Sequence, residues 1–471
     1  MKYRKAKLAS QLIIVNFLFA TNAFSVDYGT YERPFALDSF WNSRPVSPVF
    51  SNYVIPNSLY NPTAYTPAYS ASCFLTDASH SSVTLKVGPG YGGVHDRDAE
   101  VLTSEITIPH WPEDVLPASG ADAHADIFDV ENKIIHSFYR LKKVNGEWTT
   151  LLYAWTPLDG RGWGDPAHFY HGGRATGIAA CAGMIRKHEV DDGDNMFRHA
   201  LAISLTDNAL SKDYVFPSTS TDNNTGNYTG SIPEGTLLML PPGFNTASIQ
   251  TPLIKKIANT LKTYGAYVVD RNYGTPFVIY SEIGANTWTT TNLSYAEFRG
   301  LHSALRAVTS VQGWVDGNGV SYQANKNLNI LSMRGPWARG YNYLPDSEKC
   351  ETSCNVLGKF NSYKQVLEFD ATEEPIVQAN SSGRSVSTID WAKPKKGIKY
   401  QLKAKTTGGA KLRFVIRNPQ KNDYVIYDSY NLENDQAVTF TWPLDDYDIT
   451  VVATSGIEGP SSVAGDLIKL E

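Results

Sequence analysis

The sequence predicts a mainly β protein: an antiparallel β-sandwich or jelly-roll main domain with one or two helices, followed by a smaller C-terminal β-sandwich. Three observations carry this. Apolar residues alternate with polar ones over short runs that end in turn dipeptides. Only one long segment has helical spacing. A polar break near residues 343–365 separates two β-rich stretches.

The elements follow in order. Val83-Thr84-Leu85-Lys86-Val87 alternates and stops at Gly88-Pro89-Gly90. Asn145-Gly146 is a hairpin signal between Ser137–Lys143 and Trp148–Trp155. Further strands are read at Ala200–Leu205, Thr236–Leu240, Tyr267–Val269 and Phe277–Tyr280. Pro252–Tyr264 carries Leu253, Ile257, Leu261 and Tyr264 on one helical face, with Thr251 placed to cap it, Pro252 at its first position and Gly265 to end it. A second short helix is read in Tyr295–Leu305. Beyond the break, Leu402/Ala404/Thr406, Leu412/Phe414/Ile416, Tyr424/Ile426 and Tyr447/Ile449/Val451 alternate as strands of a sandwich spanning 366–471. The main domain is then 26–342, with 343–365 as linker.

Length and composition narrow the function. At 471 residues the chain suits two or three domains, and 42% hydrophobic with 19% charged residues is ordinary for a globular protein. The net charge of −5 argues against nucleic-acid binding. The chain holds 27 Tyr, 19 Phe and 10 Trp, rings that suit interfaces and sugar faces. Lys2, Arg4, Lys5 and Lys7, the apolar Leu8–Ala20 and Ala23-Phe24-Ser25 read as a cleaved secretory signal over residues 1–25, and no segment is apolar enough to span a membrane. The mature protein is expected to be periplasmic or secreted. In that setting four cysteines favour disulfides, Cys350 with Cys354 and Cys73 with Cys181.

The chemistry concentrates in three stretches. As a β-strand, Ala121–Asp129 sets Asp122, His124 and Asp126 on one face. A three-residue turn at Val130-Glu131-Asn132 would set Asp126 opposite His136 and Asp122 opposite Arg140. The next hairpin would add Tyr153 and Trp155 to the same face. The second stretch, Asp159–Gly177, is a long glycine-rich loop with Arg161, Trp163, Asp165, His168, Tyr170, His171 and Arg174. The third, Tyr91–Glu105, holds His95, Asp96, Arg97, Asp98 and Glu100, and reads better as a solvated turn. His124, His136, His168 and His171 could hold a metal with Asp122 or Asp126, but no tight two-histidine motif is present, and neither metal nor cofactor is expected.

Phe40-Trp41-Asn42, Asp122-Ala123-His124, Arg198-His199-Ala200-Leu201, Phe216-Pro217 and Leu261-Lys262-Thr263-Tyr264-Gly265 together resemble an uncharacterised family of secreted bacterial β-rich proteins. The likeness covers roughly residues 35–290 and departs at His136, where an acidic residue is expected. In composition and strand-borne His, Tyr and Arg, the chain also resembles jelly-roll polysaccharide lyases. That likeness implies β-elimination on a uronic-acid-containing extracellular polysaccharide. An arginine (Arg140 or Arg174) would neutralise the carboxylate, and His124 or His171 would take the proton. Tyr153 or Tyr170 would protonate the leaving oxygen, with Asp122 or Asp126 orienting the base. Trp155, Trp163, Arg161 and His168 would bind substrate. The alternatives are a glycoside hydrolase with two carboxylates from Asp122, Asp126, Asp165 and Glu105, and a glycan-binding or adhesive protein without turnover.

Overall fold

A computed structural model of the chain describes residues 27–470, apart from 65–66, 223–224, 286–293, 336, 340–357, 381–384 and 422–423. The expected signal segment and the Cys350–Cys354 pair lie outside the described residues. The protein is mainly β, and no described helix is long and apolar enough to cross a membrane.

The first 330 residues build layers. A six-stranded sheet runs in the order Ser72–Thr76, Ala125–Asp129, Ile134–Tyr139, Leu152–Pro157, Val94–Asp96, Val101–Thr103. A second six-stranded sheet runs Phe277–Ile279, Leu201–Thr206, Ala266–Asn272, Leu237–Met239, Arg306–Ser310, Val49–Phe50. Both are mixed, because Ser72–Thr76 pairs parallel with Ala125–Asp129 and Leu201–Thr206 parallel with Ala266–Asn272. Parallel neighbours require a crossover, and the helix Pro252–Thr263 lies in the second one. That helix buries Ile254, Ile257 and Leu261 against Leu201, Ile203 and Val268 on one face of the second sheet. The opposite face, with Ala202, Tyr267 and Val269, packs on Phe128 and Ile135 of the first sheet. The far face of the first sheet, with Ala125, Ile127, Phe138 and Tyr153, packs on Leu85 and Ile108 of a four-stranded sheet.

Cys73 and Cys181 form the expected disulfide, pinning the edge of the first sheet to the segment between the sheets. The Asn145-Gly146 turn is also present, both residues with positive φ (52° and 88°). The register it sets, Trp155 opposite His136 and Tyr153 opposite Phe138, is the expected one.

The neighbouring hairpin corrects the sequence reading. Its turn has four residues, 130–133, with Lys133 rather than Asn132 in the left-handed region at φ 54°. Asp129 fixes this turn by accepting hydrogen bonds from the Asn132 backbone N–H (3.1 Å) and side-chain amide (2.8 Å). The pairing slips by one residue, so Asp126 faces Ser137, and Ile127 faces His136. A one-residue slip exchanges the faces of a strand. Asp126 is therefore on the side opposite His136, Tyr153 and Trp155. The strand also starts only at Ala125, because Ala123 turns the chain at φ 42°.

The C-terminal part is a sandwich of two five-stranded sheets, paired antiparallel throughout their described residues, around a core that includes Leu402, Leu412, Phe414, Val451 and Leu467. Ile330, Leu331, Met333 and Trp337 already belong to that core, ahead of the boundary read at residue 342.

Candidate functional site

A cleft of about 860 Å³ opens between the two six-stranded sheets. From the first sheet and its loops come His95, Arg97, Asp122, His124 and Tyr139. The second sheet supplies Ser204, Asp270, Arg271 and Tyr280. The glycine-rich loop contributes Tyr170, Gly173 and Ala175, and a further loop contributes Asp222.

His124 is the buried histidine of this cleft, held in place by backbone geometry. The turn at Ala123 brings the Asp122 and Ala123 carbonyls to the N–H groups of Arg140 (2.7 Å) and Leu141 (3.2 Å). Nδ1 of His124 donates to the Phe138 carbonyl at 3.2 Å, which leaves Nε2 with the lone pair. Gly173 lies against this bond: a Cβ there would sit 3.0 Å from Nδ1. Burial, followed by the charge of Arg174, lowers the His124 pKa to about 3, so the ring is neutral.

Asp270 lies in the strand Ala266–Asn272 of the second sheet, paired parallel with Ser204. Burial pushes its carboxyl up to about 6 although Arg174 Nη1 lies 3.2 Å from Oδ2. Arg174 is itself buried behind the wall, its guanidinium 3.8 Å from the Tyr280 ring centre. The Tyr280 hydroxyl donates to Asp270 at 3.5 Å, and burial raises its pKa. The Arg97 guanidinium stacks 4.2 Å from the Tyr170 ring centre, and among the described residues no carboxylate forms an ion pair with it. Burial raises the pKa of Tyr170.

The residues singled out from the sequence thus divide into three places. Asp122, His124 and Tyr170 line the cleft, and Arg174 backs it. A second group is packed under the other face of the first sheet. There His136 Nδ1 meets the Tyr153 hydroxyl at 2.8 Å, and His136 Nε2 lies 3.7 Å from Asp129. Tyr153 continues to the Tyr363 hydroxyl at 3.0 Å. Trp155 packs on His168 at 4.3 Å, His168 pairs with Asp98, and His171 lies 4.4 Å from His168. All five of His136, Tyr153, Trp155, His168 and His171 are buried away from the cleft.

The third group is structural or peripheral. Asp126 accepts the Cys181 N–H at 2.6 Å in the core between the sheets. Trp163 stacks on Trp41 at 5.6 Å and donates to the Thr176 carbonyl. Arg161 lies 5.5 Å from the Phe40 ring centre, and Arg140 bonds the Tyr91 hydroxyl. None of these four lines the cleft.

Arg97 and His95 were visible in the sequence but read as a solvated turn. Asp270, Tyr280 and Ser204 gave no signal, since Ser204 and Asp270 lie within largely apolar strands and Tyr280 follows one. Among the described residues no group of three or more His, Cys, Asp or Glu is arranged to hold a metal.

Trp41, Asn42, Arg198 and His199 line a separate cavity of about 300 Å³. There His199 and Glu189 form an ion pair at 3.1 Å. Burial alone would lower the His199 pKa, but Glu189 outweighs it and raises it.

No protein-family model and no curated protein matches the chain. Parts of it are similar to solved structures. A glycosylation-associated protein complex (Gap123) of Streptococcus agalactiae matches with 14% identity over 29% of this chain and 45% of that one, at a TM-score of 0.19. The chain thus spans less than half of that structure. A family 16 carbohydrate-binding module matches with 16% identity over 23% of this chain and 77% of that one, at 0.15. A family 4 carbohydrate-binding module matches with 13% identity over 28% and 94%, at 0.15.

Proposed function

We propose that the protein is an extracellular enzyme that cleaves a uronic-acid-containing glycan by β-elimination in the cleft between the two sheets. The observation that carries this reading is Arg97, a cleft arginine without a carboxylate partner among the described residues, in a cleft it shares with a neutral histidine and several tyrosines. An unpaired cation in such a cleft is suited to an anionic group of the substrate.

In the proposed reaction Arg97 binds the uronate carboxylate and stabilises the negative charge that develops on it. Nε2 of His124 takes the proton from C5. The C5–H electron pair becomes the C4=C5 double bond, the C4–O bond breaks, and Tyr170 protonates the departing oxygen. A bound carboxylate raises the basicity of His124 by its charge. Arg97 replaces Arg140 and Arg174 in the role read from the sequence. Arg140 is turned to Tyr91, and Arg174 is paired with Asp270.

One observation favours a second reading, glycoside hydrolysis. A carboxyl at about 6 is suited to general acid catalysis, and Asp270 shares its cleft with Asp122 and Asp222.

Incubation with polygalacturonate, alginate and hyaluronan, with products analysed by mass and ultraviolet absorbance, separates the readings. Elimination gives unsaturated products lighter by one water than those of hydrolysis. Under it, Arg97→Ala and His124→Ala each lower kcat/KM about a hundredfold. Because His124 is neutral far below its ordinary range, it produces no loss of rate on acidification from pH 7 to 5. Saturated products overturn elimination. So does a rate that falls as pH rises through about 6 and loses that limb in Asp270→Asn.

A further inference from the structure

In the cleft lining and just outside it, apolar side chains stand open to solvent. Tyr69 (51% exposed) and Tyr273 (75%) line the cleft itself. Leu59 (72%) and Tyr60 (61%) continue the strip outward. The continuity is fixed by backbone contact. The Tyr60 N–H donates to the Gly274 carbonyl at 2.8 Å. The Cβ position of Gly274 lies 3.1 Å from the Tyr60 ring and 3.2 Å from Leu59, so both side chains rest on the turn that carries Tyr273. Behind the strip the backbone is tied down, by Asn208 Nδ2 to the Asn57 carbonyl (3.0 Å) and by Asn272 to the Thr275 N–H (3.0 Å).

We propose that Tyr273 and Tyr60 form an extended subsite that stacks sugar rings of the glycan chain beyond those held in the cleft. This rests on the glycan reading of the cleft and names its substrate class as polymeric rather than short. From Tyr273 in the cleft lining the contacts run through Gly274 to Tyr60 and Leu59 outside it, so a chain bound in the cleft meets them on leaving. Its composition also fits. A tyrosine presents a flat apolar face to the C–H groups of a pyranose ring and a hydroxyl to its oxygens. The floor is charged and the rim aromatic, which divides the work between fixing one uronate and holding its neighbours.

The test compares the wild type with Tyr60→Ala and Tyr60→Ala/Tyr273→Ala on polygalacturonate, alginate and hyaluronan and on the trisaccharide of each. Retardation in gels containing each polymer is measured alongside kcat/KM. The double variant should lose about tenfold more on polymer than on trisaccharide, the scale of one stacked ring. Tyr60→Phe/Tyr273→Phe should recover most of it. Equal losses on polymer and trisaccharide, or none, overturn the subsite. So does a wild-type dimer, seen by light scattering, that the double variant dissociates, since the strip would then cover a second copy. Retardation of the wild type without product, lost in the double variant, rejects the lyase reading and keeps the subsite. Neither retardation nor cleavage on any polymer rejects both.

Discussion

Asp126 shows how a polar residue can belong to the core. Its carboxylate accepts the Cys181 N–H at 2.6 Å and is fully buried. Burial holds its pKa at about 6, above the ordinary 3.8. The proton is thus bound more tightly in the folded protein than in the unfolded chain. The resulting stabilisation is complete below about pH 4 and is lost as pH rises through 6, amounting to about 2–3 kcal/mol for a fully buried group. Asp126→Asn keeps an acceptor for the N–H without the charge. Its melting temperature should fall less than that of the wild type between pH 4.5 and 7, a range stated roughly from the same linkage. Asp126→Ala leaves the N–H unsatisfied and should cost about 1–3 kcal/mol in urea unfolding. Gly173→Ala is the counterpart in the cleft. Its Cβ would crowd the bond between His124 and Phe138, so under the proposed reaction the rate should drop while the melting temperature changes little.

Two hairpins a few residues apart divide what a sequence can and cannot reveal about elements. Asn145-Gly146 is legible because both residues tolerate positive φ. A Cβ on Gly146 meets nothing within 4 Å, so Gly146→Ala should cost only the conformational penalty of φ 88°, about 1 kcal/mol, read from denaturant midpoints. The turn at 130–133 is fixed by Asp129 and Asn132 side-chain bonds, and no residue type in it announces four residues rather than three. The helices give a similar lesson. Pro252–Thr263 and Tyr295–Ala304 stand close to where their periodicity put them. Thr251 precedes the first, but its side chain makes no capping bond. Glu297 of the second helix accepts the N–H groups of Gln250 (2.6 Å) and Thr251 (3.3 Å) instead. A cap supplied from another element has no local signature. Glu297→Ala should therefore destabilise the pair by about 1 kcal/mol, seen as faster hydrogen exchange at the start of Pro252–Thr263.

At the scale of the whole molecule, the cleft exists only because two sheets meet. Asp122 and His124 were conspicuous as a cluster. Asp270 and Tyr280 join them from a sheet whose packing on the first is long-range, so their partnership could not be read along the chain. The Cys73–Cys181 disulfide closes a 108-residue separation across that junction. Its reduction should lower unfolding free energy by about 3–5 kcal/mol, measured by urea titration with and without reductant.

Arg334 reaches back from a segment whose neighbours Leu331, Met333 and Trp337 are rooted in the C-terminal sandwich. Its guanidinium donates to the Arg97 carbonyl at 3.0 Å and to Glu100 at 3.0 Å. The backbone that presents the cleft's cation is thus anchored in the second body of the protein. In calorimetric terms the two halves should melt as one unit. A single endotherm is expected for the wild type, and two for Arg334→Met, with the proposed glycan cleavage lost in the earlier transition. The sandwich would then act as a fulcrum for the cleft, bracing through Arg334 the backbone of an arginine in the cleft wall.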